Sequence, residues 1–365
     1  MTISKEFRRK DGGIKFNFAP ANEEELKECL SDPLWRICSG ALYKIIIKGD
    51  DGEDGLVMPF IPNRAQKRLL KALWHRNVIL KARQLGFTTL VCIVWLDTAL
   101  FSENMRCGII AQDREAAEVI FRDKVKFAYE NLPEELKAAM PLARDSASEL
   151  LFAHNNSSIR VATSMRSGTI HRLHISEFGK ICAKYPDKAK EVITGSIPAV
   201  PKSGILIIES TAEGRDGEFY DITMRAKALY DSKSELTVRD YKFHFFAWWD
   251  APEYEMPVDS VKLTDKDLAY FERIESQINQ PISPEKRAWY IATRDADFSG
   301  SEEKMWQEYP STPEEAFQQS TEGCYYTEQL TKARKENRIG NVPFVEGVPV
   351  NTFWDIGSSD GTAIW

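Results

Sequence analysis

The sequence predicts an α/β fold built on a mainly parallel sheet, and three observations predict it. Between Pro62 and Tyr230, short apolar runs (NVIL, CGIIAQ, TIHRLHIS, GILIIES) alternate with stretches of helical character, the pattern of strands joined by crossover helices. The run NVIL leads into a basic, glycine-containing turn, KARQLGF, and then into two threonines that open a helix. Polar residues cluster after Leu80, Ile175 and Ile208, at the carboxyl ends of three of these runs. Ligands gather at the carboxyl ends of parallel strands, so the three clusters can converge on one site.

Each segment has its own signals. Residues 1–60 read as an N-terminal arm or subdomain: a charged start, a short helix at EEELKECL, and a strand-like ALYKIIIKG closed by the acidic turn DDGEDG. Residues 61–240 read as the α/β core. A helix (RAQKRLLKALW) precedes NVIL and the basic turn; the helix TTLVCIVWLDTALF, the strand CGIIAQ and a long helix from Arg114 to Glu130 follow. ELLFA and SIRVATS flank an Asn-Asn-Ser-Ser turn and predict a hairpin, before the two buried strands TIHRLHIS and GILIIES. Residues 241–345 begin with a strand, KFHFFAWW, and continue as helices, read as a helical lid or linker subdomain. Thr264 with Asp267, and Thr312 with Pro313 and Glu315, read as capping boxes, while Ser283 precedes a proline at a first helical position. Residues 346–365 (EGVPV followed by NTFWDIGSSDGTAIW) hold an apolar strand start carrying Asp355. A lone strand cannot bury its faces, so a further domain is expected to follow it.

Composition narrows the function classes. The 365 residues suffice for two or three domains. With 48 Lys and Arg against 55 Asp and Glu the net charge is −7, so a protein that coats nucleic acid is excluded and any DNA contact is local. Arg8, Arg9 and Lys10, the pair Lys124 and Lys126, and the group Lys180, Lys184, Lys188 and Lys190 are the basic patches available for it; each also reads as solvated surface. The six cysteines form no C-x-x-C pair and fit reduced core positions. His171 and His174, three apart on a strand, point to opposite faces and make no metal pair. The first residues carry no apolar leader, and no run approaches the ~20 apolar residues needed to cross a bilayer. The chain reads as soluble and not exported.

The three polar clusters carry the chemistry. A helix start presents unpaired backbone N–H groups to an anion, and NVILKARQLGFTTL has the layout of a phosphate-binding loop. The pattern G-x-x-x-x-G-K-[ST] wants lysine just before the hydroxyl residue, but Phe87 stands there and the first glycine is missing. The positive charge must then come from Lys81 and Arg83 in the same turn. Gly86 permits close approach of the backbone, and Thr88 occupies the position whose hydroxyl serves Mg²⁺ beside phosphates. In LHISEF, a strand ending in an acid pair would be a Walker B motif. Ser176 can reach a metal only through water, which leaves Glu177 as the candidate general base. In ILIIESTAEGRDGEFYDI, Ser210 and Thr211 are placed to sense a terminal phosphate, and Gly214 allows a sharp turn. Each cluster alone would be an ordinary strand end; three in this order form a pattern.

Taken together, KARQLGFTT, SEF at 176–178, ESTAEG followed by EFYDI, and YPSTPEEAF at 309–317 resemble the motifs of the large terminase subunits of tailed bacteriophages, the motors that pump DNA into procapsids. The likeness covers most of the chain and includes the form of Walker A loop whose basic residue sits at its start. It implies a P-loop NTPase core of the additional-strand (ASCE) class, a helical subdomain and, from WDIGSSDGTAIW, the first strand of a ribonuclease H-like nuclease. ATP and Mg²⁺ would be the cofactors. By the same resemblance, Gln66 would read adenine, while Lys81, Arg83, Gln84, Leu85, Gly86, Phe87, Thr88 and Thr89 would form the nucleotide site. Arg83 would respond to the γ-phosphate and Glu177 would activate water. Thr88 would bind Mg²⁺, with Ser176 acting through water, and Ser210 and Thr211 would couple hydrolysis to movement. Asp355 would be the first nuclease metal acid; with only Asp360 beside it, endonuclease activity belongs to the full-length protein and not to this chain. The implied partners are double-stranded DNA, a portal protein, a small terminase subunit and further copies in a ring, a pentamer. The implied location is the host cell cytoplasm, transiently at the procapsid portal and outside the mature virion.

Two departures, Ser176 for the usual aspartate and Phe87 for the usual lysine, keep an alternative open: a catalytically weak nucleotide-binding module that docks portal or small terminase. A helicase sharing this core is a further rival. It would need an arginine finger from a second α/β domain, where the residues after Asp240 read as mainly helical.

Overall fold

The computed structural model describes residues 3–47, 55–166 and 168–318, and beyond them residues 332–333, 336, 338, 347, 354–355 and 363–364. It divides into two compact units, Met1–Gln319 and Ser320–Trp365. In the first unit ten strands are described: β1 (Lys44–Ile47), β2 (Leu56–Pro59), β3 (Arg76–Lys81), β4 (Arg106–Ile110), β5 (Leu142–Asp145), β6 (Glu149–Phe152), β7 (Ser158–Ala162), β8 (Arg172–Ser176), β9 (Ile205–Ser210) and β10 (Tyr241–Phe246). In the second unit, β11 (Trp354–Asp355) pairs antiparallel with β12 (Ala363–Ile364). Asp360 lies outside the described residues.

β3 to β10 form one sheet in the order β10-β3-β9-β8-β4-β7-β6-β5. The pairings from β10 through β7 are parallel; the predicted hairpin is β6 antiparallel to β7, and β5, outside that hairpin, adds antiparallel to β6 at the edge. The central strands read as unbroken apolar runs because helices cover both faces of the sheet. β3, the strand that delivers the basic turn, is separated from β8 by β9. One strand is thus interposed between the two motif-bearing strands, as the additional-strand class implies.

On one face sits the helix Phe87–Phe101, with ten of its fifteen residues buried, including Trp95 and Leu96. A helix apolar on nearly every side can only be a core helix. The other face is covered by the helices Phe178–Lys184 and Glu218–Asp231, through Phe178, Ile181, Phe219 and Ala226. The predicted long helix from Arg114 runs as Arg114–Ile120, a π-helical stretch Phe121–Lys126, and a last turn Phe127–Glu130. Such π stretches are uncommon and cluster near functional sites. Here the stretch carries Lys124, whose Nζ donates to Thr89 Oγ1 at 2.8 Å.

The N-terminal region is part of the same compact unit. Arg36 reaches the core helix and grips Asp97 with two bonds, Nε–Oδ1 2.8 Å and Nη2–Oδ2 2.7 Å, while Tyr43 donates to Asp97 Oδ1 at 2.7 Å.

Two expectations need correction. KFHFFAWW forms a strand as expected, but β10 pairs with β3 along its whole length and so belongs to the sheet, not to the segment 241–345 in which it was placed. The apolar run announces the strand, but its partner lies far back in the sequence and no local signal names it. Thr312 caps its helix by accepting from the Glu315 N–H at 3.2 Å, yet Glu315 does not close a capping box. Its carboxylate turns inward, accepting from the Ser311 N–H at 2.6 Å and from Tyr270 OH at 2.8 Å. Thr264 with Asp267 forms the expected box, and Ser283 caps its helix as predicted.

Candidate nucleotide-binding site

The basic turn leaves β3 at Lys81 and enters the helix at Phe87 through Gly86, whose φ is +71°. That left-handed conformation suits glycine. A side chain there would also strike Gln66, since an added Cβ would lie 2.8 Å from Gln66 Nε2. Gln66 braces the turn: its Nε2 donates to Gly86 O at 2.7 Å and its Oε1 accepts from the Asn63 N–H at 2.9 Å, within a full capping box. Both polar ends of the Gln66 amide are thus engaged by protein. Gln84 is exposed with φ +60°, Leu85 is buried, and no side chain caps the helix start. The first N–H groups of Phe87–Phe101 therefore remain available to an anion.

Phe87, which displaces the expected lysine, is a core residue. It is 1% exposed and its ring lies 4.5 Å from that of Phe246 on β10. The cation sits elsewhere. Lys81 at the end of β3 is buried, with Nζ 3.0 Å from Glu177 Oε1 and 3.2 Å from Glu209 Oε2. Burial works against its charge, but the Glu209 and Glu177 carboxylates more than offset this and hold its pKa above the ordinary lysine value.

Glu177 follows β8 and opens the next helix with φ +53°. A positive φ on a glutamate is strained, and strain of this kind concentrates at functional sites. Its Oε2 lies 3.3 Å from Lys180 Nζ, so Lys180 is engaged at the site. The helix Phe178–Lys184 presses on the end of β9 at Gly179, where a Cβ would stand 2.8 Å from Ser210 Oγ and 2.9 Å from Thr211 O. Ser210 and Thr211 are buried, and neither hydroxyl has a hydrogen-bond partner.

Thr88, Ser176 and Lys81 thus meet as the sequence predicts, but they meet around a residue it did not single out. Glu209, fully buried on β9, accepts from Thr88 Oγ1 and from Ser176 Oγ, each at 2.9 Å, with those two hydroxyls 3.4 Å apart. His174 Nε2 is 3.4 Å from the same oxygen. Burial opposes ionisation of Glu209, but the Lys81 ammonium, the His174 ring and the Ser176 hydroxyl outweigh it and keep the carboxyl well below its usual range. A signal existed: Glu209 is the one charge in the apolar run ILIIES, and a charge there requires a partner.

The donor chemistry fits a hard divalent cation. Two hydroxyls and a carboxylate are oxygen ligands, and Mg²⁺ is held by few protein groups, with phosphate and water completing its shell. Glu209 Oε2, buried beside the Lys81 ammonium at 3.2 Å and with no further hydrogen bond, keeps acceptor capacity at this point.

Arg83 is half exposed and faces the helical region. Its N–H donates to Glu308 O at 2.8 Å, its guanidinium lies 3.8 Å from Glu308 Oε2, and Tyr254 OH donates to its carbonyl. In the segment after β9, Arg215 Nε donates to Phe317 O at 2.5 Å, and the Phe317 ring packs on Tyr220 at 5.0 Å. Of the basic patches, Arg8 pairs with Glu28, Arg9 with Asp11 and Asp32, Lys126 with Asp145, and Lys188 donates to the carbonyls of Ala111 and Gln112. Lys10 and Lys184 are exposed. The side chain of Asp355 lies outside what is described. A separate cleft of about 510 Å³, lined by Arg106, Arg160 and His171, opens at the amino ends of β4 and β7 and shares none of these residues.

No family model and no curated protein matches the sequence. Among solved structures, the chain is similar to the large terminase ATPase domain of Thermus phage P74-26, with 18% identity, 69% of this chain and 94% of that chain covered, and a TM-score of 0.45. It is similar to the large terminase of bacteriophage HK97, with 16% identity, 75% of this chain and 54% of that chain covered, and a TM-score of 0.48. A DEAD box protein from Methanococcus jannaschii shares 16% identity, with 60% and 56% covered and a TM-score of 0.33.

Proposed function

We propose that this chain is an ATPase and the motor part of a viral DNA-packaging machine, working with other copies in a ring at a portal and with a small terminase subunit. The observation that carries the ATPase reading is the position of Lys81, a buried cation at a strand end between two carboxylates, beside an uncapped helix start. The motor and its partners are supported by the motif resemblance.

The turn from Arg83 to Thr89 would wrap the phosphates with backbone N–H groups, and Lys81 would supply the charge that Phe87 cannot. Mg²⁺, held by Thr88 with Ser176 nearby, would neutralise phosphate charge when bound. Lys81 contacts Glu177 in the structure; a phosphate competing for that ammonium frees the Glu177 carboxylate to take a proton from an attacking water. General-base help of this kind is worth roughly 10²–10⁴ in rate. Ser210 and Thr211 carry unsatisfied hydroxyls at the end of β9, and Arg215 and Arg83 link the site to Phe317 and Glu308 of the helical region. Those two links would pass the loss of phosphate to the helices. DNA would be gripped by a local basic surface, with affinity falling as salt rises.

Purified chain assayed for ATP hydrolysis with and without duplex DNA, beside Glu177→Ala, tests this reading. Wild-type hydrolysis no faster than that of Glu177→Ala would leave only the weak-binding docking module.

A further inference from the structure

Resting on that reading of the site, we propose that Glu209 is the metal-directed carboxylate of this ATPase, taking from the neighbouring strand the part that Ser176 cannot play. Ser176 is neutral, so β8 brings no charge to a cation at Thr88. In the β8–β9 pairing Ser176 stands directly opposite Glu209. The carboxylate has moved one strand over, a step of roughly 4.8 Å between parallel strands, and the long side chain of a glutamate spans it. Glu209 Oε1 arrives 2.9 Å from both Thr88 Oγ1 and Ser176 Oγ, so one carboxylate oxygen and two hydroxyls share a single point in space.

A purely structural role, as counter-ion to Lys81, explains less. Lys81 already has Glu177 at 3.0 Å, and a second carboxylate is not needed to neutralise it. Glu209 Oε2 meets the Lys81 ammonium at 3.2 Å and no hydrogen-bond donor besides, so this carboxylate keeps acceptor capacity beyond its ion pair. The Thr88 bond is informative too, since it ties Glu209 to the residue that resemblance assigns to Mg²⁺.

The two roles separate in a titration of ATPγS by calorimetry, run once in Mg²⁺ and once in EDTA, on wild type, Glu209→Gln, Glu209→Asp and the double variant Glu209→Gln with Ser176→Asp. Wild type is expected to bind more tightly in Mg²⁺. Glu209→Gln should lose about tenfold or more of that Mg²⁺-dependent gain, the usual scale for groups that support a metal, with its affinity in EDTA little changed. Glu209→Asp keeps the charge beside Lys81 but withdraws it by one methylene, and should lose the gain as well, which holds the question open to test should the glutamine variant not fold. The double variant, with its carboxylate returned to β8, should recover part of the gain. Glu209→Gln or Glu209→Asp with the full wild-type gain would overturn the assignment while leaving the ATPase reading intact, as would an equal loss in both buffers. Wild type that binds ATPγS in neither buffer would sink both.

Discussion

Buried charge at the junction of the N-terminal region with the core helix and buried charge at the end of the sheet are satisfied to different degrees. In the first, Arg36 meets Asp97 with two parallel bonds, Tyr43 fills the remaining place on Oδ1, and Arg36 Nη1 donates to Leu30 O at 2.6 Å. In the second, Lys81 is shared between Glu177 and Glu209, Glu177 Oε2 and Glu209 Oε2 meet ammonium groups at 3.3 and 3.2 Å without a further hydrogen bond, and the buried hydroxyls of Ser210 and Thr211 have no hydrogen-bond partner. Buried polar atoms are seldom left unpaired without a reason. The first cluster is complete as it stands. The second has the composition of a site that a ligand completes.

If that contrast is right, damage to the two clusters should read out differently. Glu177→Gln should lower ATP hydrolysis by about 10²–10⁴ and leave thermal unfolding nearly where it is, because its carboxylate is partly exposed. Asp97→Ala should do the reverse. Leaving Arg36 buried without its partner should cost about 3–5 kcal/mol in denaturant unfolding, with ATP affinity of the folded protein unchanged. A large loss of ATP affinity in Asp97→Ala would erase the distinction.

A third buried group sharpens the comparison through pH. His244 on β10 lies with Nε2 3.0 Å from Asn77 Oδ1, and burial, helped by Lys242 and Arg68, pushes its pKa down to about 3. The folded protein keeps this ring neutral while the unfolded chain protonates it near its ordinary value. Its contribution is therefore fully present above roughly pH 6.5 and is lost as pH falls toward 3. Between pH 7 and pH 5 the loss should be about 2 kcal/mol. Denaturant curves of wild type and His244→Gln at both pH values check it; the variant should show the shallower slope by that amount.

The smallest expected effect is at the brace of the turn. Gln66→Ala removes the bond to Gly86 O and half of a capping box, and should cost about 1 kcal/mol of stability. Its effect on nucleotide affinity separates a brace from a base-reading residue: a brace weakens ATP and GTP alike, whereas an adenine reader weakens ATP alone.

Much of the fold was legible because its signals are local. Apolar runs broken by helical periods gave the parallel sheet; Gly86 and the two threonines marked the turn; the Asn-Asn-Ser-Ser turn marked the hairpin. What was missed depends on contacts distant in sequence. β10 joins the sheet because β3 accepts it, 160 or so residues back. Glu209 was passed over inside an apolar run, although the charge was visible, since only the pairing of β8 with β9 sets it opposite Ser176. Glu315 matched a capping box in spacing, yet a buried tyrosine claimed its carboxylate.

The central claim is that the phosphate charge has passed from the position of Phe87 to Lys81, and binding of ATP by Lys81→Ala measured beside Glu177→Ala tests it most directly. Both variants break the same 3.0 Å ion pair, so a difference between them cannot come from that pair alone. The account predicts that Lys81→Ala loses ATP binding by about a hundredfold or more, on the scale of a lost buried charge contact, while Glu177→Ala binds ATP close to wild type and fails to hydrolyse it. Lys81→Ala that folds and binds ATP as wild type does would contradict it.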